Sequence, residues 1–181
     1  MKKVIFNIIH NIFTEEQRNK IIDDVQPFLG DGSTVSSFYS EDGNECEYPE
    51  GFEWFNLTHA TLHLLSEFEW AHKILLSRIN EELDSNLYTD KSWINESNGR
   101  NRTRKWHNHD EGPSDYSAVY YLKTNRFFDS GTLFKEYGFV KVPQNSVLVF
   151  PPHLDHTTPS SLFRFKRYSW VLDLISKTKD T

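Results

Sequence analysis

The texture of apolar and polar positions in this chain changes after Asp90. Ahead of it two stretches carry apolar residues at helical spacing, and beyond it the apolar residues fall into short β-branched or aromatic runs. "MKKVIFNIIHNIF" is apolar but is interrupted by Asn7, His10 and Asn11, and no small-residue cleavage site follows. It reads as a first strand rather than a signal segment. "TEEQ" from Thr14 to Gln17 spells a capping box. Ile21, Ile22 and Val25 supply an apolar helix face, closed by Pro27 and Gly30. A second helix is predicted over Thr61 to Leu83, where Leu64, Phe68, Ala71, Leu75 and Ile79 recur at helical spacing. The polar, Ser-rich stretch from Gly30 to Pro49 reads as a long loop or irregular strands, of the kind that serves as a lid.

After Asp90, "SWIN", "SAVYYLKT", "GTLFKEYGFVKV", "SVLVFPP" and "RYSWVLDLI" are separated by Gly, Pro, Asn and Asp. That texture predicts successive antiparallel strands in a sandwich or jelly roll. Two helices ahead of a β-rich half give an α+β class, with the helices buttressing one sheet.

Composition narrows the function. The 181 residues suit one domain, residues 1–181, and 37% hydrophobic with 15% aromatic content is ample for a core. A net charge of −6 argues against general nucleic-acid binding. No apolar run approaches a membrane span. Cys46 is alone, so no intrachain disulfide is possible, and a cytoplasmic protein is expected.

The histidines carry the candidate chemistry. His59 and His63 stand at i, i+4 with no third ligand nearby and read as structural. His107 with His109, and His153 with His156, form two close pairs. Residues two apart on a strand share a face, so His107 and His109 can converge on one ion with Asn108 turned away. A close pair plus a remote histidine can assemble a facial metal site once jelly-roll strands fold together. Equally, these histidines could decorate loop turns.

From about Trp93 onward the chain resembles the 2-oxoglutarate/Fe(II)-dependent dioxygenases, whose fold is a double-stranded β-helix and whose members include the prolyl hydroxylases. The resemblance rests on "SWIN", "HNH", "DEGPSD", "SAVYYL", "GTLF", "FPPHLDH" and "RYS" in that order. It is similar, more weakly, in the lead-in helix "NIFTEEQRNKIIDDV". It implies a jelly roll with Fe(II), the cosubstrate 2-oxoglutarate and O2. The reaction implied releases succinate and CO2 and hydroxylates an unreactive C–H bond. His107, His109 and His156 take the metal positions. Arg167, eleven residues past His156, takes the place of the cation that grips the far carboxylate of 2-oxoglutarate. Ser169 and Tyr121 complete the cosubstrate pocket. Most of the superfamily has H-x-D where this chain has H-x-H. A frame shifted by two, His109-Asp110-Glu111, would restore a carboxylate, and both frames stay open.

Two rival readings use the same residues. One is a catalytically inert, cupin-like binding or structural module, and the other is a zinc protein, since three histidines suit zinc. The substrate, a small molecule or a protein side chain, is not specified by the sequence.

Overall fold

The computed structural model describes residues 6–29, 37–39, 45–47, 56–58, 60–97, 106–110, 112–125, 130–159 and 165–177. At 37–39, 45–47 and 56–57 the description is of the backbone only. The strands are β1 (Asn7–His10), β2 (Ser37–Tyr39), β3 (Glu45–Glu47), β4 (Asn56–Leu57), β5 (Leu87–Ser97), β6 (Tyr116–Lys123), β7 (Gly131–Phe134), β8 (Gly138–Lys141), β9 (Ser146–Phe150), β10 (His156–Thr157) and β11 (Arg167–Ser176). The helices are α1 (Glu15–Val25) and α2 (Glu69–Leu83), with single 3-10 turns at Gln26–Phe28 and Leu62–Leu64.

A six-stranded sheet in the order β1-β9-β6-β11-β5-β4 faces a three-stranded sheet, β10-β7-β8. Each pairing between the described strands is antiparallel. This is the α+β jelly roll predicted from the strand texture, with both helices against the outer face of the large sheet.

Alternation along the central strands builds two cores on opposite faces of the same strands. Tyr168, Trp170, Leu172 and Leu174 of β11 point to the helices, where they meet Ile21, Val25, Phe68, Ala71, Leu75 and Ile79. Trp170, fully buried, donates its indole N–H to Ser92 Oγ at 2.8 Å, so its polar edge is satisfied. Val119 and Tyr121 of β6, Leu148 and Phe150 of β9 and Val171 of β11 point the other way, into the space between the sheets. Arg167, Ser169 and Asp173 share that inner face by the same alternation. They are polar residues committed to the interior of a barrel.

The capping box forms as spelled. Gln17 N–H donates to Thr14 Oγ1, and Thr14 N–H donates to Gln17 Oε1. The second helix is shorter than the spacing predicts. It starts at Glu69, and the segment ahead of it makes one 3-10 turn and a bend. Leu62 and Phe68 are buried there while Leu64 is 72% exposed, so no single helical face runs through 61–68. "GTLFKEYGFVKV" divides into the β7–β8 hairpin, turned by Gly138 at φ 74°. Asn145, at φ 62°, clips the start of β9 to the chain entering α1. Its side chain accepts from Phe13 N–H and Tyr120 O–H and donates to the Phe13 carbonyl.

Candidate metal centre

"HNH" and "FPPHLDH" are zipped together by backbone hydrogen bonds. His107 and His156 exchange both of theirs, at 3.1 and 2.8 Å, and His109 N–H donates to the Pro152 carbonyl at 2.8 Å. β10 pairs His156 with Phe134 of β7, so the junction is also anchored to the small sheet. "HNH" precedes β6 as an extended segment held by that bridge, rather than as the opening residues of a strand.

The three imidazoles meet. One ring nitrogen from each of His107, His109 and His156 lies within 4.8 Å of the others. Nitrogens bound to one ion at about 2.1 Å sit up to about 4 Å apart, so small side-chain rotations bring all three into range. Asn108 turns away, as expected, and its amide donates to Asp155 at 3.0 Å. Lys135 holds the other Asp155 oxygen at 3.0 Å, and these two hydrogen bonds keep that carboxyl below its usual range. Asp110 is exposed, and Glu111, the carboxylate of the alternative frame, lies outside the described residues.

Two of the rings have their second nitrogen fixed. His156 Nδ1 faces the Leu154 carbonyl at 2.9 Å and must donate to it. Its Nε2 is therefore the nitrogen with the lone pair. Burial, with His107 alongside, pushes the His156 pKa down to about 3, and the neutral ring is the form that binds metals. His109 Nδ1 stands 2.9 Å from the Asp173 carboxylate, with both side chains almost fully buried. Trp93 stacks on the His109 ring at 5.6 Å and 14°, and His156 stacks at 5.2 Å and 12°. Three imidazoles converging in this way suit iron(II) and similar divalent ions.

The other predicted residues share the inner face of the large sheet. Arg167 is 2% exposed, lies over the Tyr121 ring at 5.3 Å, and donates from Nη2 to the Gly131 carbonyl at 3.3 Å. Tyr121 O–H and Thr132 Oγ1 are hydrogen-bonded at 2.5 Å. Burial pushes the Tyr121 phenol upward, with Arg167 opposing, so it stays a neutral hydrogen-bonding group. Ser169 is buried and directly opposite Tyr121 in the β11–β6 ladder. Lys166 faces the other way, to Glu96 at 3.0 Å. Gly131 is required where it stands. At φ 150°, a Cβ there would lie 2.3 Å from the Val140 carbonyl oxygen. Its own carbonyl receives the Arg167 hydrogen bond.

His153 is exposed and outside the cluster, and His63 lies in the Leu62–Leu64 turn with its ring 5.4 Å from His72. The expected lid, from Gly30 onward, lies outside the described residues except for the paired backbones of β2 and β3. Asp173, Trp93 and Thr132 are not among the predicted site residues, although Trp93 opens the motif series. Asp173 had a signal of its own, as the lone charge in the otherwise uncharged run from Tyr168 to Ile175.

Neither a protein-family model nor a curated protein matches this sequence. Solved structures do. The chain is similar to the non-heme alpha-ketoglutarate-dependent epimerase SnoN of nogalamycin biosynthesis, with TM-score 0.67 and 9% identity over 96% of this chain and 79% of that one. It is similar to a prolyl hydroxylase from Trichoplax adhaerens, solved with a hypoxia-inducible-factor peptide, with TM-score 0.64 and 15% identity over 94% and 83% of the two chains. HygX from Streptomyces hygroscopicus, solved with nickel and 2-oxoglutarate bound, gives TM-score 0.59 and 11% identity over 95% and 83%. The fold is therefore the prolyl-hydroxylase-like double-stranded β-helix of 2-oxoglutarate/Fe(II) oxygenases. At these identities the likeness is one of fold.

Proposed function

We propose that the chain is a 2-oxoglutarate- and Fe(II)-dependent dioxygenase that hydroxylates a small-molecule or protein substrate. The observation that carries this reading is a pairing within one barrel. Three imidazoles converge beside Phe134, Phe150 and Asp173, and a buried guanidinium stands on the inner face of β11, as Asp173 does. His156 is opposite Phe134 on β7, while Arg167 bonds to Gly131, three residues along that strand. Three strand residues span about 10 Å, a separation that a five-carbon dicarboxylate held at both ends would bridge.

His107, His109 and His156 would hold the iron, which when bound supplies the activation of O2 and of the C–H bond. Arg167 offers a charged fork to the far carboxylate of the cosubstrate, and Ser169 adds a hydroxyl donor. Tyr121 fixes the guanidinium from below and closes that end of the pocket with Thr132. Trp93 and Phe150, against His109 and His156, keep water from the back of the metal site.

The test is anaerobic addition of Fe(II) and 2-oxoglutarate, followed by aerobic incubation. A visible charge-transfer band that needs both components, then succinate, is the expected result. Metal uptake with neither band nor succinate would favour the zinc reading instead, and absence of metal uptake would favour the inert module.

A further inference from the structure

Three imidazole ligands bring no negative charge to a divalent ion, yet a carboxylate lies directly behind one of them. Asp173 Oδ1 is 2.9 Å from His109 Nδ1, and Ser117, its partner in the β6–β11 ladder, donates to the same oxygen at 3.4 Å. The two side chains of the His109–Asp173 pair retain only 7% and 9% of their exposure. A buried carboxylate costs several kcal/mol unless its charge is compensated. An aspartate buried between Leu172 and Leu174 therefore needs a charged or strongly polarised partner.

We propose that Asp173 is a positioning residue for His109, supplying from behind the imidazole the negative charge that an H-x-D site supplies at the metal itself. The inference rests on the metal-centre reading above. As a carboxylate, Asp173 can only accept, so His109 Nδ1 must donate and Nε2 carries the lone pair. Stacking against Trp93 and His156 fixes the ring plane, and the Asp173 hydrogen bond fixes rotation within that plane. The remaining edge of the ring presents Nε2 to the cluster. The hydrogen bond also makes that nitrogen a more basic, partly anionic donor, as carboxylates behind ligating histidines do.

Cobalt(II) is the probe, because its visible spectrum reports ligand geometry without oxygen or cosubstrate. Asp173→Asn, nearly isosteric, should bind Co(II) about 10- to 100-fold more weakly than wild type, with an altered visible spectrum. The decisive arm is the His109→Asp background, where a carboxylate already faces the ion and Asp173 becomes a like-charged neighbour. There Asp173→Asn should leave Co(II) affinity unchanged or raise it. An equal loss in both backgrounds would mean that Asp173 merely supports the fold, and wild-type affinity and spectrum in Asp173→Asn would also overturn the proposal. Should Asp173→Asn not fold, nitrogen NMR of the Zn(II)-loaded wild type decides. His109 should be protonated at Nδ1 and metal-bound at Nε2, and the reverse arrangement overturns the idea. Titrating 2-oxoglutarate into the Co(II)-loaded wild type separates the two readings. An Asp173 effect without 2-oxoglutarate binding supports this inference and counts against the oxygenase.

Discussion

Arg167→Ala removes a guanidinium that is 2% exposed and held between the Tyr121 ring and the Gly131 carbonyl. If that cation meets the far carboxylate of 2-oxoglutarate, its loss leaves the carboxylate desolvated and uncompensated, at a cost of about 2–5 kcal/mol. In dissociation constant this is roughly 30-fold to a few-thousand-fold. Arg167→Lys, which keeps the charge but loses the fork, should fall between the two. The assay is calorimetric titration of 2-oxoglutarate into the metal-loaded protein, repeated with 2-oxopentanoate, in which a methyl group replaces the far carboxylate. Wild type should strongly prefer the dicarboxylate, and Arg167→Ala should have little preference, because the partner of that carboxylate is gone. Metal binding should persist, since Arg167 is not among the converging imidazoles. The reasoning is refuted if Arg167→Ala weakens both ligands equally, which would signal a collapsed pocket, or if dicarboxylate affinity is unchanged.

Two further outcomes are expected. His107→Ala should lose its metal by elemental analysis while Glu111→Ala keeps it, and the opposite pattern would put the ligands in the His109-Asp110-Glu111 frame. His72, hydrogen-bonded to Thr89 at 2.8 Å and ringed by His63, has its pKa pushed down to about 4, first by burial and then by His63. The folded protein thus takes up this proton less readily than the unfolded chain, so the contribution is intact above about pH 6.5 and lost as pH falls through about 4. The full shift would correspond to about 3 kcal/mol, and partial solvent screening reduces it to about 1–2 kcal/mol. Denaturant unfolding of wild type and His72→Gln between these pH values should show the smaller acid loss in the variant, and parallel curves would remove His72 from the account.

Local chemistry was legible in the sequence. Thr14 and Gln17 spell a cap that forms because both partners lie within one helical turn. Parity placed His107 with His109 on a common face, because side-chain direction alternates from residue to residue along an extended backbone. The family resemblance proposed which of these residues should come together, across separations that no local rule spans. Only the folded chain brings His156 opposite His107, through paired backbone bonds between segments nearly fifty residues apart. The start of α2 was likewise a tertiary decision. Leu64 fits the helical spacing as well as Phe68 does, but Phe68 packs on Phe28 and Trp170 while Leu64 stays in solvent. Asp173 is the sharpest case. In sequence it is one charge in a hydrophobic strand, and its meaning depends on a histidine more than sixty residues earlier that folding places against its carboxylate. Periodicity fixes which face a side chain takes, whereas its partner is chosen by long-range pairing and by the cost of burying a charge alone.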